Sequence, residues 1–98
     1  MENLIVVNNE WEQRYEAVVE DALAVAEYRR SGEEILFHHT EVPVSLRGKG
    51  VGTALVRAAL DDARARGLVI RSTCWFVSDY LSAHPEYASR STTNQQQP

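Results

Sequence analysis

The sequence predicts a mixed α/β fold: an antiparallel meander of strands, then a strand–helix–strand crossover, then a short C-terminal helix. Three observations carry this. Strand-like runs separated by short turns fill residues 14–42, the period changes to 3.6 between residues 51 and 66, and Gly48, Gly50 and Gly52 stand at alternate positions where the two regimes meet. A chain of 98 residues has room for one core. We read residues 1–88 as a single domain and the tail "SRSTTNQQQP" at 89–98, which has no apolar side chain, as disordered.

The run "RYEAVVE" at 14–20 reads as a strand with Tyr15, Ala17 and Val19 on one face, and "ALAVAEYR" at 22–29 follows after a very short connection, as in a hairpin. Gly32 supplies a turn, and "EILFHHTEV" at 34–42, rich in β-branched and aromatic residues, reads as the next strand. Pro43 blocks further ladder pairing. In the helix that follows the glycines, Val51, Ala54, Leu55, Ala58, Ala59 and Ala63 share one face and Gly67 is placed to end it, with Asp62 and Arg66 as an i, i+4 pair. "LVIRST" at 68–73 is then a strand, and a crossover through a helix implies parallel pairing with the strand at 34–42. "WFVSDYLSAH" at 75–84 reads as a second helix that stops at Pro85. Trp11, Trp75, Phe76 and Tyr87 are expected to pack the core, because large aromatics stabilise a domain this small.

Composition narrows the partners. Fourteen acidic against ten basic side chains give a net charge of −4, the opposite of what a phosphate-backbone binder carries, so nucleic acid is not expected as a partner. The single cysteine, Cys74, forms no internal disulfide, and the N-terminal "MENLIVVNNEW" holds too short an apolar run for a signal peptide or membrane span. The expected setting is cytoplasmic, with no membrane and no metal. A monomer or weak dimer is expected.

The stretch "RGKGVG" frees the amides of residues 48–53 to converge on one spot, and the helix that starts there adds the positive end of its dipole. An anion is the natural occupant. A nucleotide P-loop needs lysine directly after the last glycine, but Thr53 follows Gly52; the dinucleotide fingerprint needs a third glycine where Thr53 or Leu55 stands.

"RGKGVGTALVRAAL" resembles the acetyl-CoA-binding motif of the GNAT N-acetyltransferase superfamily, with Arg47, Gly50 and Gly52 at its defining positions. "HTEVP" at 39–43 and "HPEY" at 84–87 extend the resemblance to the minimal, yjdJ-type GNAT proteins of about one hundred residues, over roughly residues 14–88. The resemblance implies a truncated GNAT acyl-CoA N-acyltransferase fold. It implies that Val42, Arg47, Gly48, Lys49, Gly50, Val51, Gly52 and Thr53 bind acetyl-CoA, and that an acetyl group passes to an amine acceptor, small molecule or protein.

Such a transfer needs a base for the amine proton, donors for the oxyanion and an acid for the departing thiolate. On simple alternation Ile35, Phe37, His39 and Glu41 share one face of their strand, unless a bulge, common on this strand in the family, shifts the parity. His39 and Glu41 are the candidate bases, and imidazole suits the role because it titrates near neutrality. Cys74 lies where a strand meets a helix start, which favours a thiolate, and the resemblance makes it a candidate nucleophile. Tyr80 resembles the position from which many GNAT enzymes protonate the thiolate. Direct attack by the amine and relay through a Cys74 thioester both remain open at this point, as does a noncatalytic acyl-CoA-binding regulatory module or an interaction scaffold. The first hairpin leaves no room for the helices that form the acceptor wall in larger relatives.

Overall fold

The computed structural model describes residues 4–88, and the expected disordered tail at 89–98 lies outside the described residues. Five strands form one sheet in chain order: β1 (Val7–Asn9), β2 (Arg14–Val19), β3 (Ala22–Ser31), β4 (Glu34–Glu41) and β5 (Val69–Ser72). The first three neighbouring pairs are antiparallel and β4 with β5 is parallel, as a crossover through α1 (Val51–Ala65) requires. A second helix, α2 (Trp75–Ala83), and a 3₁₀ turn over Pro85–Ala88 complete the chain. No helix among the described residues is long and apolar enough to cross a membrane.

The core lies between the sheet and α1. Tyr15, Ala17, Ala24, Ala26, Tyr28, Ile35 and Phe37 supply the sheet side, and alanines at 17, 24 and 26 let the helix approach closely. On α1 the buried residues are Val51, Leu55, Val56, Ala59, Leu60 and Ala63. The expected face is thereby corrected: Ala54 and Ala58 are only half-buried, and Val56 and Leu60 take their place, because the stripe follows the larger side chains into the sheet. Gly67 takes φ +75° just past the helix, and Arg66 pairs with Asp62 at 2.8 Å.

Three further differences have local causes. The short strand β1 escapes detection by alternation, and it is held by side-chain bonds: Asn9 Nδ2 donates to Glu16 at 2.8 Å and the Tyr28 hydroxyl donates to Asn8 Oδ1 at 2.7 Å. Trp11 is 90 % exposed and Trp75 75 % exposed, so neither packs the core as expected. Trp11 sits in the turn before β2, outside the sheet's alternation, and Trp75 opens α2 on its outer side; Tyr87 is buried and Phe76 half-buried, as expected of them. The β2–β3 connection turns through Glu20 and Asp21, both with positive φ (+53° and +67°), the twist a two-residue hairpin demands although neither is glycine.

Two phenols lock distant elements to α1. Tyr15 donates to Asp62 at 2.6 Å and Tyr87 donates to Asp61, bringing the C-terminal turn back onto the helix. Burial, and then the neighbouring carboxylate, push both phenols well above their ordinary range. A pKa higher in the folded than in the unfolded chain leaves stability intact below pH ~10 and erodes it as pH rises further, by up to about 1.4 kcal/mol per pH unit for each group. Tyrosinate absorbance is therefore expected to show Tyr15 and Tyr87 ionising only as the fold is lost, and Tyr15→Phe is expected to reduce the steepness of alkaline unfolding. Normal titration of all four tyrosines in a folded chain contradicts this.

Candidate active site

Between β4 and α1 the chain makes a 3₁₀ turn, Val44–Leu46, whose Leu46 side chain is fully buried and anchors the loop. The amide of Leu46 bonds to Pro43 O, that of Arg47 to Val44 O and that of Lys49 to Leu46 O. The sequence then needs left-handed backbone twice, and glycine provides it at Gly48 (φ +81°) and Gly50 (φ +79°). Gly50 caps α1, and the first helical bond runs from Ala54 N to Gly50 O at 3.0 Å. The amides of Gly50, Val51, Gly52 and Thr53 therefore precede the ladder, and no acceptor among the described residues takes them.

Gly52 has another purpose. A Cβ there would lie 3.2 Å from both Phe76 Cζ and Val42 Cγ2, so its bareness lets the start of α1 press against the end of β4 and the start of α2. Val42, Arg47, Gly48, Gly50, Val51, Gly52 and Thr53 all line one cleft. Arg47 is folded back, its Nε donating to Val42 O at 3.0 Å. Lys49 does not line the cleft; its Nζ meets Glu20 Oε1 at 3.4 Å.

The cleft exists because two parallel strands part. β5 pairs with β4 only from Glu34 to Phe37, and the bond from Thr73 N to Phe37 O at 2.9 Å closes that contact. β4 continues to Glu41 on β3 alone. Beyond the fork lies a cavity of about 1020 Å³, with residues 38–42 of the β4 end along one side, Cys74, Trp75 and Phe76 along the other, and the glycine loop at one end.

At the fork β4 carries a bulge. Tyr28 opposes Phe37 and Glu27 opposes His39, leaving His38 unmatched. The extra residue reverses the alternation, so the expectation that His39 and Glu41 share the face of Ile35 and Phe37 is overturned. Thr40, opposite Ala26, takes the core face; His39 and Glu41, opposite Glu27 and Val25, take the other. The two candidate bases do stay together, His39 Nε2 lying 3.3 Å from Glu41 Oε1 with side chains 51 % and 68 % exposed.

Cys74 caps α2 and is buried. Its amide donates to Ser72 Oγ at 3.1 Å, its carbonyl accepts from Ser78 N, and its sulfur lies 3.5 Å from Thr40 Oγ1. Alternation alone hides Thr40, since only the bulge turns it toward the sulfur. Tyr80 is not among the residues lining the cleft; its ring stacks on His84 at 3.9 Å. The structure thus gathers His39, Glu41, Cys74 and the loop around one space and leaves Tyr80 and the Lys49 side chain outside it. Among the described residues no cluster of His, Cys, Asp or Glu is arranged to hold a metal ion.

Comparison with known proteins gives this geometry its context. A family model described as GCN5-related N-acetyl-transferase matches residues 14–90. The chain is similar to protein NATD1 of Gallus gallus, 38 % identical over 63 residues, covering 63 % of this chain and 57 % of that protein. The Homo sapiens protein NATD1 is 38 % identical over 63 residues, covering 63 % and 56 %. The match thus spans somewhat more than half the length of these curated relatives. A GCN5-like protein of Staphylococcus aureus, solved in solution by NMR, superposes with a TM-score of 0.66 at 32 % identity, covering 89 % of this chain and 86 % of that one.

Proposed function

The chain belongs to the GCN5-related N-acetyltransferase family, and from this premise we propose that it moves an acetyl group from acetyl-CoA to the nitrogen of an amine, using a single domain over residues 1–88. One observation carries the reading: Gly50 to Thr53, whose amides no acceptor among the described residues takes, line the same cleft as the His39–Glu41 pair. The residues fit the cofactor. Four fixed donors and a helix start can hold a diphosphate without a buried cation, and the fork between β4 and β5 offers a slot for an extended arm.

Acetyl-CoA supplies an activated acyl carbon and a thiolate leaving group. The chain's own part is to hold the phosphates on the amides, to place the acceptor and to take its proton. His39 is the base we favour, because Glu41 lies 3.3 Å from its Nε2 and stabilises the imidazolium that forms on proton uptake. Direct attack by the amine is favoured over relay through Cys74. The sulfur has Thr40 Oγ1 as its polar contact at 3.5 Å and His39 has Glu41, so neither candidate base is the group that touches the thiol. A cytoplasmic setting, which keeps Cys74 reduced, completes the proposal.

Calorimetric titration with acetyl-CoA, followed by a screen of amines, tests the reading in order. Saturable donor binding without turnover on any amine would leave the noncatalytic binding module in its place. Gly50→Val is expected to weaken acetyl-CoA binding by ten- to a hundredfold, since the left-handed cap costs a β-branched residue about 1–2 kcal/mol and relaxing it turns charge-assisted donors away. Wild-type affinity in a folded Gly50→Val variant contradicts the phosphate site.

A further inference from the structure

An exposed tryptophan on a protein surface means little by itself, and Trp11 is of that kind. Trp75 differs: it is 75 % exposed and yet lines the cleft, at the first position of α2 and next to Cys74. The contact of Cys74 Sγ with Thr40 Oγ1 at 3.5 Å brings the start of α2 up to β4 at the residue between His39 and Glu41, and all of these line the one cleft. Phe76 belongs to the donor end, packed where Gly52 and Val42 meet. The Trp75 ring lies at 85° to the Phe76 ring, centroids 5.7 Å apart, and so presents a separate wall.

With His38 and His39 neutral, charge at this end of the cleft has one sign. Glu41 contributes a carboxylate, and Glu27 is the cross-strand neighbour of His39. Arg14, opposite Glu27, has its Nε committed to Glu16 at 2.7 Å. Arg47 is the only lysine or arginine lining the cleft among the described residues, and it is tied to Val42 at the loop end. An indole face beside a carboxylate whose one basic partner is a neutral imidazole is a recognition pattern for a cation.

Building on the acetyltransfer reading, we infer that Trp75 and Glu41 form the acceptor subsite and that the acceptor enters as an alkylammonium ion held between them. The charged head gains from the indole face and the carboxylate, then gives its proton to His39 before the free amine attacks. The order explains why an amine abundant only as its ammonium form at neutral pH can be captured by this chain.

The test uses Trp11→Phe, which leaves Trp75 as the only tryptophan. Coenzyme A alone is expected to leave Trp75 fluorescence nearly unchanged, n-butylammonium added to the coenzyme A complex to change it saturably, and 1-butanol to have no effect. By calorimetry Trp75→Ala is expected to bind n-butylammonium about tenfold more weakly with coenzyme A affinity intact, and Trp75→Phe to restore most of the loss. A full response to coenzyme A alone, equal binding of 1-butanol, or unchanged amine affinity in Trp75→Ala overturns the inference. Failure of coenzyme A to bind at all strikes the donor site instead, and the amine arm, run on the free protein, still reports on Trp75.

Discussion

Phe37→Ala is expected to remove about 3–5 kcal/mol of stability, enough to leave a domain of this size largely unfolded at moderate temperature. The ring is fully buried and forms a trio with Tyr15 and Tyr28, its centroid 6.1 and 6.0 Å from theirs. Truncation removes the transfer energy of the ring, leaves a cavity between sheet and helix, and strips both tyrosines of an aromatic neighbour worth a further ~0.5–1.5 kcal/mol each. Phe37 is also the last residue at which β4 and β5 are joined, through its carbonyl and Thr73 N. Loss of packing there loosens the fork on which the cleft depends. Urea unfolding followed by far-UV circular dichroism checks the value; both tryptophans are exposed and report poorly on the core. A midpoint within measurement error of wild type would mean that the core is centred elsewhere. Phe37→Leu, which keeps most of the volume, is expected to cost less than half as much.

The same residue marks the limit of what alternation reveals. Up to Phe37, period-two counting places every β4 side chain correctly, because the pleat leaves a regular strand no choice. One residue later the bulge at His38 reverses the pattern. Nothing in "FHHTE" announces which residue is extra, since the bulge is set by the register with β3. The extent of helix α1 is easier to read, because its 3.6-residue period, the glycine cap before it and Gly67 after it are local signals that agree with each other, although its buried face includes Val56 and Leu60 where Ala54 and Ala58 are expected. The loop geometry was legible for a similar reason, as left-handed backbone at residues 48 and 50 demands glycine. Gly52 shows the converse, for its glycine answers a contact with Phe76 and Val42 that no local rule foretells. Trp11 and Trp75 were misplaced because hydrophobicity predicts burial only on average, and the position of a residue on the outside of a turn or helix start is a tertiary fact. Tyr80 illustrates the same gap: the helix containing it was readable, but its stacking on His84, away from the cleft, was not.

His39→Ala is expected to lower turnover with an amine by about 10² to 10⁴-fold while acetyl-CoA affinity stays within a factor of two. The asymmetry follows from position: His39 lies on β4 beyond the fork, whereas the proposed phosphate site is the run of amides at residues 50–53 on a different element. Raising the pH is expected to recover much of the lost rate, because an acceptor that loses its proton to solvent no longer needs the imidazole. Glu41→Gln is expected to cost less, since it removes the charge that steadies the imidazolium but leaves the base in place. If instead the thiol is the nucleophile, the pattern inverts. Cys74→Ala then abolishes transfer, and mass spectrometry of protein mixed with acetyl-CoA alone finds an acetyl group on Cys74 that an amine discharges at the turnover rate. The direct route predicts near-normal turnover in Cys74→Ala and no such discharge. The geometry favours that outcome, because the group in contact with the sulfur is the Thr40 hydroxyl, at 3.5 Å, while the His39 imidazole meets Glu41 instead.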